Sequence, residues 1–241
     1  MPHTLFISDL HLSPDSVAAN ETLLNFLEAT APYADALYVL GDLFEYWIGD
    51  DGLEHPFARQ VAAAFRRLAD RGVPVYFMHG NRDFLVGERF ARESGMTILP
   101  DPTLLNLYGR PTLLMHGDTL CSEDVEYQKF RAMVRNPAWQ QAFLAQPLAE
   151  RIRMAQDVRG KSEQAKQVKD MAIMDVTPAT VESVLRQHGL PRMIHGHTHR
   201  PARHEHLVDG KTSERWVLAD WYDHGSYLVC DAAGCRPQPL D

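Results

Sequence analysis

At 241 residues and 27.3 kDa the chain has the length of one domain around a single core. Its 45% hydrophobic and 23% charged residues are those of a soluble globular protein, and no apolar run reaches the roughly 18 residues of a spanning helix. Three cysteines, Cys121, Cys230 and Cys235, predict no disulfide framework, which fits a reducing compartment, and exclude a thiolate zinc cluster.

Met1 leads directly into the apolar run Thr4–Ile7 without a basic leader or cleavage site, which predicts a cytoplasmic or membrane-peripheral protein. The net charge of −8 is unevenly spread. Residues 129–169 hold nine Lys/Arg and three acids, a local +6 that leaves −14 for the remainder. A basic block in an acidic chain predicts a local anionic partner and argues against general nucleic-acid binding.

In chain order, residues 4–8 read as a strand, and Asn20 as the cap of a helix through Leu23, Leu24, Phe26 and Leu27. A second buried strand, 36–40, ends at Gly41-Asp42. A polar loop leads to a helix near 55–70 stopped by Gly72, and strand 73–77 ends at Gly80-Asn81-Arg82-Asp83. A short helix near 86–94 closes at Gly95. Beyond residue 100 the pattern changes: 104–108 and 111–115 read as a hairpin, and 124–188 as helices broken at Asn136-Pro137 and Pro147. The end is β-rich, with strands at 193–194, 202–208, 214–219, 226–230 and 235–239. The expected fold is α/β (α+β): a two-sheet core flanked by helices, one domain over 1–241 with a helical cap at 122–170.

The chemistry gathers at five strand ends: Asp9-Leu10-His11, Gly41-Asp42, Gly80-Asn81, His116-Gly117-Asp118 and His195-Gly196-His197-Thr198-His199. A lone Asp-x-His or His-x-His is more often a turn or a surface pair than a ligand set. Five such motifs behind apolar strands are another matter. Asp9, His11, Asp42, Asn81, His116, His197 and His199 make seven oxygen and nitrogen donors, enough for two metals sharing a carboxylate, with Asp42 the expected bridge. Such donors favour Mn²⁺, Fe²⁺, Co²⁺ or Zn²⁺. Asp83, Asp118 and His195 are expected to support the ligands without joining them.

These motifs resemble the calcineurin-like metallophosphoesterase signature. The resemblance implies a two-sheet sandwich and two-metal activation of water. One position departs from the family pattern: Arg82 stands where a proton-donating His is usual. An arginine cannot give up a proton but can hold a phosphate, so the leaving group should be one that departs unprotonated, as from a diphosphate. Longer stretches, among them 40–51, 79–85, 90–96, 115–121, 172–176 and 195–201, are similar to the branch of this family that acts on UDP-2,3-diacylglucosamine in the lipid A pathway of Gram-negative bacteria.

That similarity implies hydrolysis at the α-phosphorus to UMP and 2,3-diacylglucosamine 1-phosphate, with Mn²⁺, on the cytoplasmic face of the inner membrane. It implies Asp42, Asn81, Arg82, His116 and His197 as catalytic. Substrate contacts carry over to Asn81, Arg82, Asp124, Ser162, Lys166, Lys169 and His197. Apolar cap residues Val134, Trp139, Phe143, Leu144, Leu148, Ile152 and Met154 are read as a face for acyl chains or a membrane surface. The rival readings are another phosphoesterase, cleaving a cyclic nucleotide or phosphoprotein, and a non-catalytic binding scaffold.

Overall fold

The computed structural model describes residues 1–168, 175–222 and 225–240, with the side chains of 159 and 161–168 left undescribed. Two sheets carry the fold. The first has six strands in the order β11-β10-β1-β2-β3-β4: β1 is Thr4–Ile7, β2 Ala36–Val39, β3 Val75–Met78, β4 Met96–Leu99, β10 Ser226–Asp231 and β11 Gly234–Pro239. β1 to β4 run parallel, and β10 and β11 are antiparallel additions. The second sheet runs β5-β6-β7-β9-β8, with β5 Thr103–Leu107, β6 Arg110–Leu114, β7 Arg192–His195, β8 Ala202–Val208 and β9 Lys211–Val217.

The strand period explains the layering. Leu5 and Ile7 of β1, Leu37 and Val39 of β2, and Val75 and Phe77 of β3 face helices α1 (Val17–Ala29), α2 (Pro56–Asp70) and α3 (Glu88–Ser94). The alternate residues Phe6, Leu40 and Met78 face inward, where they meet Leu114, Ile194 and Trp216 of the second sheet. That sheet buries Leu113, Met115 and Met193 against Val181 and Leu185 of α7 (Pro178–Gln187). Both faces of each central strand are therefore buried, which is why these strands read as continuous apolar runs. The expected sandwich with outer helices is observed.

Three helices, α4 (Val125–Val134), α5 (Pro137–Leu144) and α6 (Leu148–Val168), intervene between β6 and α7. Arg151, 3% exposed, ties α6 to the core through Asp51 and the Ile48 carbonyl. Among the described residues, no helix is long and apolar enough to cross a membrane.

Several expectations are corrected. Helix α1 begins at Val17, so Asn20 lies inside it, where its Nδ2 donates to the Ser13 carbonyl (2.8 Å). Strand β4 is new; its four residues directly after Gly95 are too few to show a period. Cys230 and Cys235 occupy facing positions across β10 and β11 and form a disulfide, while Cys121 is buried elsewhere and takes no part in it. The short hairpin joins thiols that sequence spacing alone does not pair.

Candidate metal centre

All five motifs emerge from the C-terminal ends of their strands, the edge where open α/β sheets place their chemistry. The loops are laced together through their backbones. Asp9 N–H donates to the Gly41 carbonyl and His11 N–H to the Asp42 carbonyl, both at 3.0 Å. Gly196 N–H donates to the His116 carbonyl at 2.9 Å. Glycine is demanded where these loops touch. A Cβ on Gly80 would stand 2.1 Å from Asp42 Oδ1, and one on Gly196 would stand 2.2 Å from Asp9 Oδ2.

The donor atoms form two groups. Asp9, His11 and His199 bring ligand atoms within 4.8 Å of one another, and so do Asp9, Asp42 and His116. Asp9 thus belongs to both. His11 Nε2 and His199 Nε2 lie 3.2 Å apart, and His199 Nε2 lies 3.4 Å from Asp9 Oδ1. That oxygen is buried without a hydrogen-bond partner. Around the second group, Asn81 Oδ1 stands 2.9 Å from His116 Nε2 and 2.8 Å from His197 Nδ1. Donors bound to one ion at about 2.1 Å sit roughly 3 Å from each other. The spacing, the orphaned oxygen and the nitrogen and oxygen donor set all fit divalent cations. All seven expected ligands are brought together here.

Outer partners fix which nitrogen faces inward. His199 Nδ1 meets Asp220 Oδ2 at 2.9 Å and His116 Nδ1 donates to the Leu40 carbonyl at 2.9 Å, while His11 Nδ1, buried without a hydrogen-bond partner, lies 3.4 Å from Glu45 Oε2. Each leaves Nε2 pointing to the centre, the usual arrangement of metal-binding imidazoles. His195 stands outside both donor groups. Arg215 Nη1 lies 3.0 Å from its Nε2, and since arginine only donates, His195 must donate through Nδ1 to the Gly196 carbonyl (2.8 Å). This bond holds the turn that presents His197 and His199.

Asp83, fully buried, accepts from the backbone N–H of Leu43 (2.7 Å) and Gly80 (2.8 Å), joining two ligand loops. Asp118 accepts from the Tyr127 hydroxyl (2.6 Å) and Arg131 Nε (2.7 Å), tying the site to α4. Asp83, Asp118 and His195 thus hydrogen-bond the loops and helix around the donor groups.

The electrostatics are those of crowded, buried charge. Burial, together with the Asp83 and Asp9 carboxylates, pushes Asp42 up to about 7 despite His116. Burial works against protonation of His116, but Asp42, Asp118 and Asp9 hold it at about 9. His199 is likewise held at about 9 against its burial, by Asp220 and Asp9. Burial lowers His197 to about 4 and His11 to about 2. Protons retained on His116 and His199 occupy positions that cations would take.

The calcineurin-like phosphoesterase family model matches residues 2–201. The chain belongs to this family. Three relatives, each named UDP-2,3-diacylglucosamine hydrolase, align over nearly the whole chain. One from Stenotrophomonas maltophilia (strain K279a) is 52% identical and covers 96% of each chain. One from Xanthomonas axonopodis pv. citri (strain 306) is 53% identical and covers 98% of each. The third, from Aromatoleum aromaticum, is 53% identical over 95% of this chain and 94% of its own.

The predicted substrate contacts are only partly placed. Arg82 reaches the centre: its N–H donates to Asp42 Oδ1 at 2.8 Å, its Nε lies 4.0 Å from Asp42 Oδ2, and its guanidinium pairs with Glu45. Asp124 caps α4, accepting from Tyr127 N–H at 3.1 Å. Lys169 and the side chains of Ser162 and Lys166 lie outside the described residues.

The basic block is less available than its charge implied. Arg131 pairs with Asp118, Arg135 donates to the Gly80 carbonyl, and Arg151 pairs with Asp51. Lys129 and Arg153 pair with neighbouring acids on their own helices. All five described members are thus engaged within the protein.

The apolar cap face also divides. Val134 and Phe143 are buried, and Trp139 and Ile152 pack against the core, with Trp139 beside Phe84. Leu144, Leu148 and Met154 remain exposed. Sequence reasoning missed Glu45, Asp220, Arg215 and Tyr222 as parts of the site. Glu45 sits inside the conspicuous run Phe44-Glu45-Tyr46-Trp47, which was its one sequence signal; the other three lie far from any motif.

Proposed function

We propose that the protein hydrolyses the diphosphate of UDP-2,3-diacylglucosamine at the α-phosphorus, giving UMP and 2,3-diacylglucosamine 1-phosphate in lipid A biosynthesis. The observation that carries this reading is Arg82 beside Asp42 at a seven-donor centre. Relatives above 50% identity with that substrate in their names support it. Asp9, His11, Asp42 and His199 would hold one divalent ion, and Asp42, Asn81, His116 and His197 a second, with Mn²⁺ the metal and Asp42 the proposed bridge, although Asp9 is the carboxylate common to both donor groups. Bound there, such ions supply Lewis acidity and lower the pKa of water toward neutrality.

The protein's own groups do the rest. The imidazoles are held with one nitrogen inward, so little reorganisation is needed on loading. Arg82 offers charge to the diphosphate and in exchange leaves Glu45. It gives no proton, so a leaving group that needs none is favoured. Among the other predicted contacts, Asn81 and His197 stand at the centre itself. Asp124, Ser162, Lys166 and Lys169 are proposed to contact the substrate from the cap. Exposed Val125, Met133, Leu144, Leu148, Met154 and Val158 on α4 to α6 support contact with the acyl chains or the inner-membrane surface.

The test is a side-by-side assay of the Mn²⁺-loaded protein on UDP-2,3-diacylglucosamine, a cyclic nucleotide and a phosphomonoester. Preferential cleavage of the first is expected. Preference for either of the others would defeat the reading, and a purified protein that retains no metal would favour a binding scaffold.

A further inference from the structure

On the proposed substrate, cleavage at the α-phosphorus leaves a lipid half and a nucleoside half, and the two must leave the centre by different flanks. The flank beside Gly80 and His197 is covered by α4: Arg135 donates to the Gly80 carbonyl at 2.8 Å, and Tyr127 stacks on His197. Helix α4, which covers that flank, carries exposed Val125 and Met133. The other flank, beyond His11, opens into a cleft of about 310 Å³ between the start of α1 and the segment that follows β9.

We infer that this cleft is a nucleoside subsite, taking the uridine half of the substrate. The inference rests on the hydrolase reading above. Four features of the cleft point to this class of ligand. The volume is at the small end for ligand sites, right for one nucleoside and too small for a diacylated sugar.

The cleft is bounded by an aromatic shelf. Tyr222 stacks one face on His11, with ring centres 4.9 Å apart and planes 5° from parallel, yet the residue remains 55% exposed. An open aromatic ring against a ligand histidine can receive a planar base. Val17 on the facing wall is 59% exposed and adds apolar surface to the cleft.

The charge selects against an anion. The described lining contains no lysine or arginine, and Asp15 adds a carboxylate suited to ribose hydroxyls. Donors without charge are present as well. Ser16 makes no side-chain bond to the first turn of α1, because its hydroxyl is turned to Ser13 Oγ at 2.8 Å. The N–H groups of that turn can therefore serve the carbonyl oxygens of a pyrimidine base.

The test uses Ala18→Trp and, separately, Val17→Glu. Both positions are exposed and neither belongs to the metal centre. Calorimetric binding of UMP to the Mn²⁺-loaded protein should weaken roughly tenfold or more in each variant. Metal content, cleavage of bis(4-nitrophenyl) phosphate and inhibition by the diacylated sugar phosphate should stay as in the parent. Unchanged UMP affinity in both variants overturns the subsite, as does an equal loss for both products. Calorimetry needs no turnover, so failure of the parent protein to cleave UDP-2,3-diacylglucosamine is read separately and counts against the hydrolase reading.

Discussion

Five of the seven donor residues have left-handed backbones: Asp9 (φ 56°), His11 (50°), Asp42 (52°), His197 (70°) and His199 (53°). Outside glycine this conformation costs about 1–2 kcal/mol per residue. The strain is held by the loop-to-loop hydrogen bonds and turns each side chain toward the centre. Crowding has the same origin. Asp42→Asn keeps the volume but loses the shared charge, and hydrolysis is expected to fall by about a hundredfold or more while the fold persists. Near-parent turnover with a full metal complement would exclude the bridging role. Asp220→Asn addresses the partner of His199 instead. Loss of that carboxylate should weaken metal binding by about 10–100-fold, measured by titrating Mn²⁺ into chelator-treated protein. An unchanged affinity would show that Asp220 merely lies near the ring.

At the level of elements, the strand-end loops work because they approach more closely than side chains permit. Gly80→Ala places a methyl group against the Asp42 carboxylate. The strand behind it, β3, is buried and intact, so the chain should still fold. The expected result is substoichiometric metal and a matching loss of activity; a fully loaded, active variant would contradict the packing argument. The helical insertion obeys a different rule. Its buried residues Val134 and Phe143 and the Arg151 anchor fix it to the core, while Leu144, Leu148 and Met154 are left facing solvent. A basic stretch read as a phosphate-binding block is, over its described part, a set of internal ties.

For the whole molecule, the centre links stability to pH. Asp42 titrates in the fold near 7, above the usual 3.8, and His116 and His199 near 9, above 6.5. A group with a raised folded pKa stabilises below its unfolded pKa and loses that contribution as pH rises through the folded value. Chelator-treated protein should therefore lose the Asp42 contribution between pH 3.8 and about 7, and those of His116 and His199 between pH 6.5 and about 9. Loading with metal requires the neutral imidazoles and so removes most of that alkaline decline. Melting curves across this range, with and without Mn²⁺, should diverge. Parallel curves would mean that the cations do not replace those protons.

The linear chain determined the sandwich and its ligand set. Apolar strands with both faces buried leave an unbroken hydrophobic signal, and glycine, aspartate and histidine at their ends stand out against it. Arg82 could be read as a phosphate holder because its chemistry does not depend on context. Local patterns misplaced what is short or pairwise: the four-residue β4, the start of α1 ahead of Asn20, and the Cys230–Cys235 pair across a hairpin. Only the tertiary structure decided the partners. Asp220 holds His199, Glu45 lies beside His11, Arg215 sets the tautomer of His195, and Tyr222 bounds a cleft beside the centre. Asp220, Arg215 and Tyr222 meet their partners from another part of the chain, so no local pattern joins them. Periodicity reports which face of a strand is buried; it carries no record of which side chain waits on the other side.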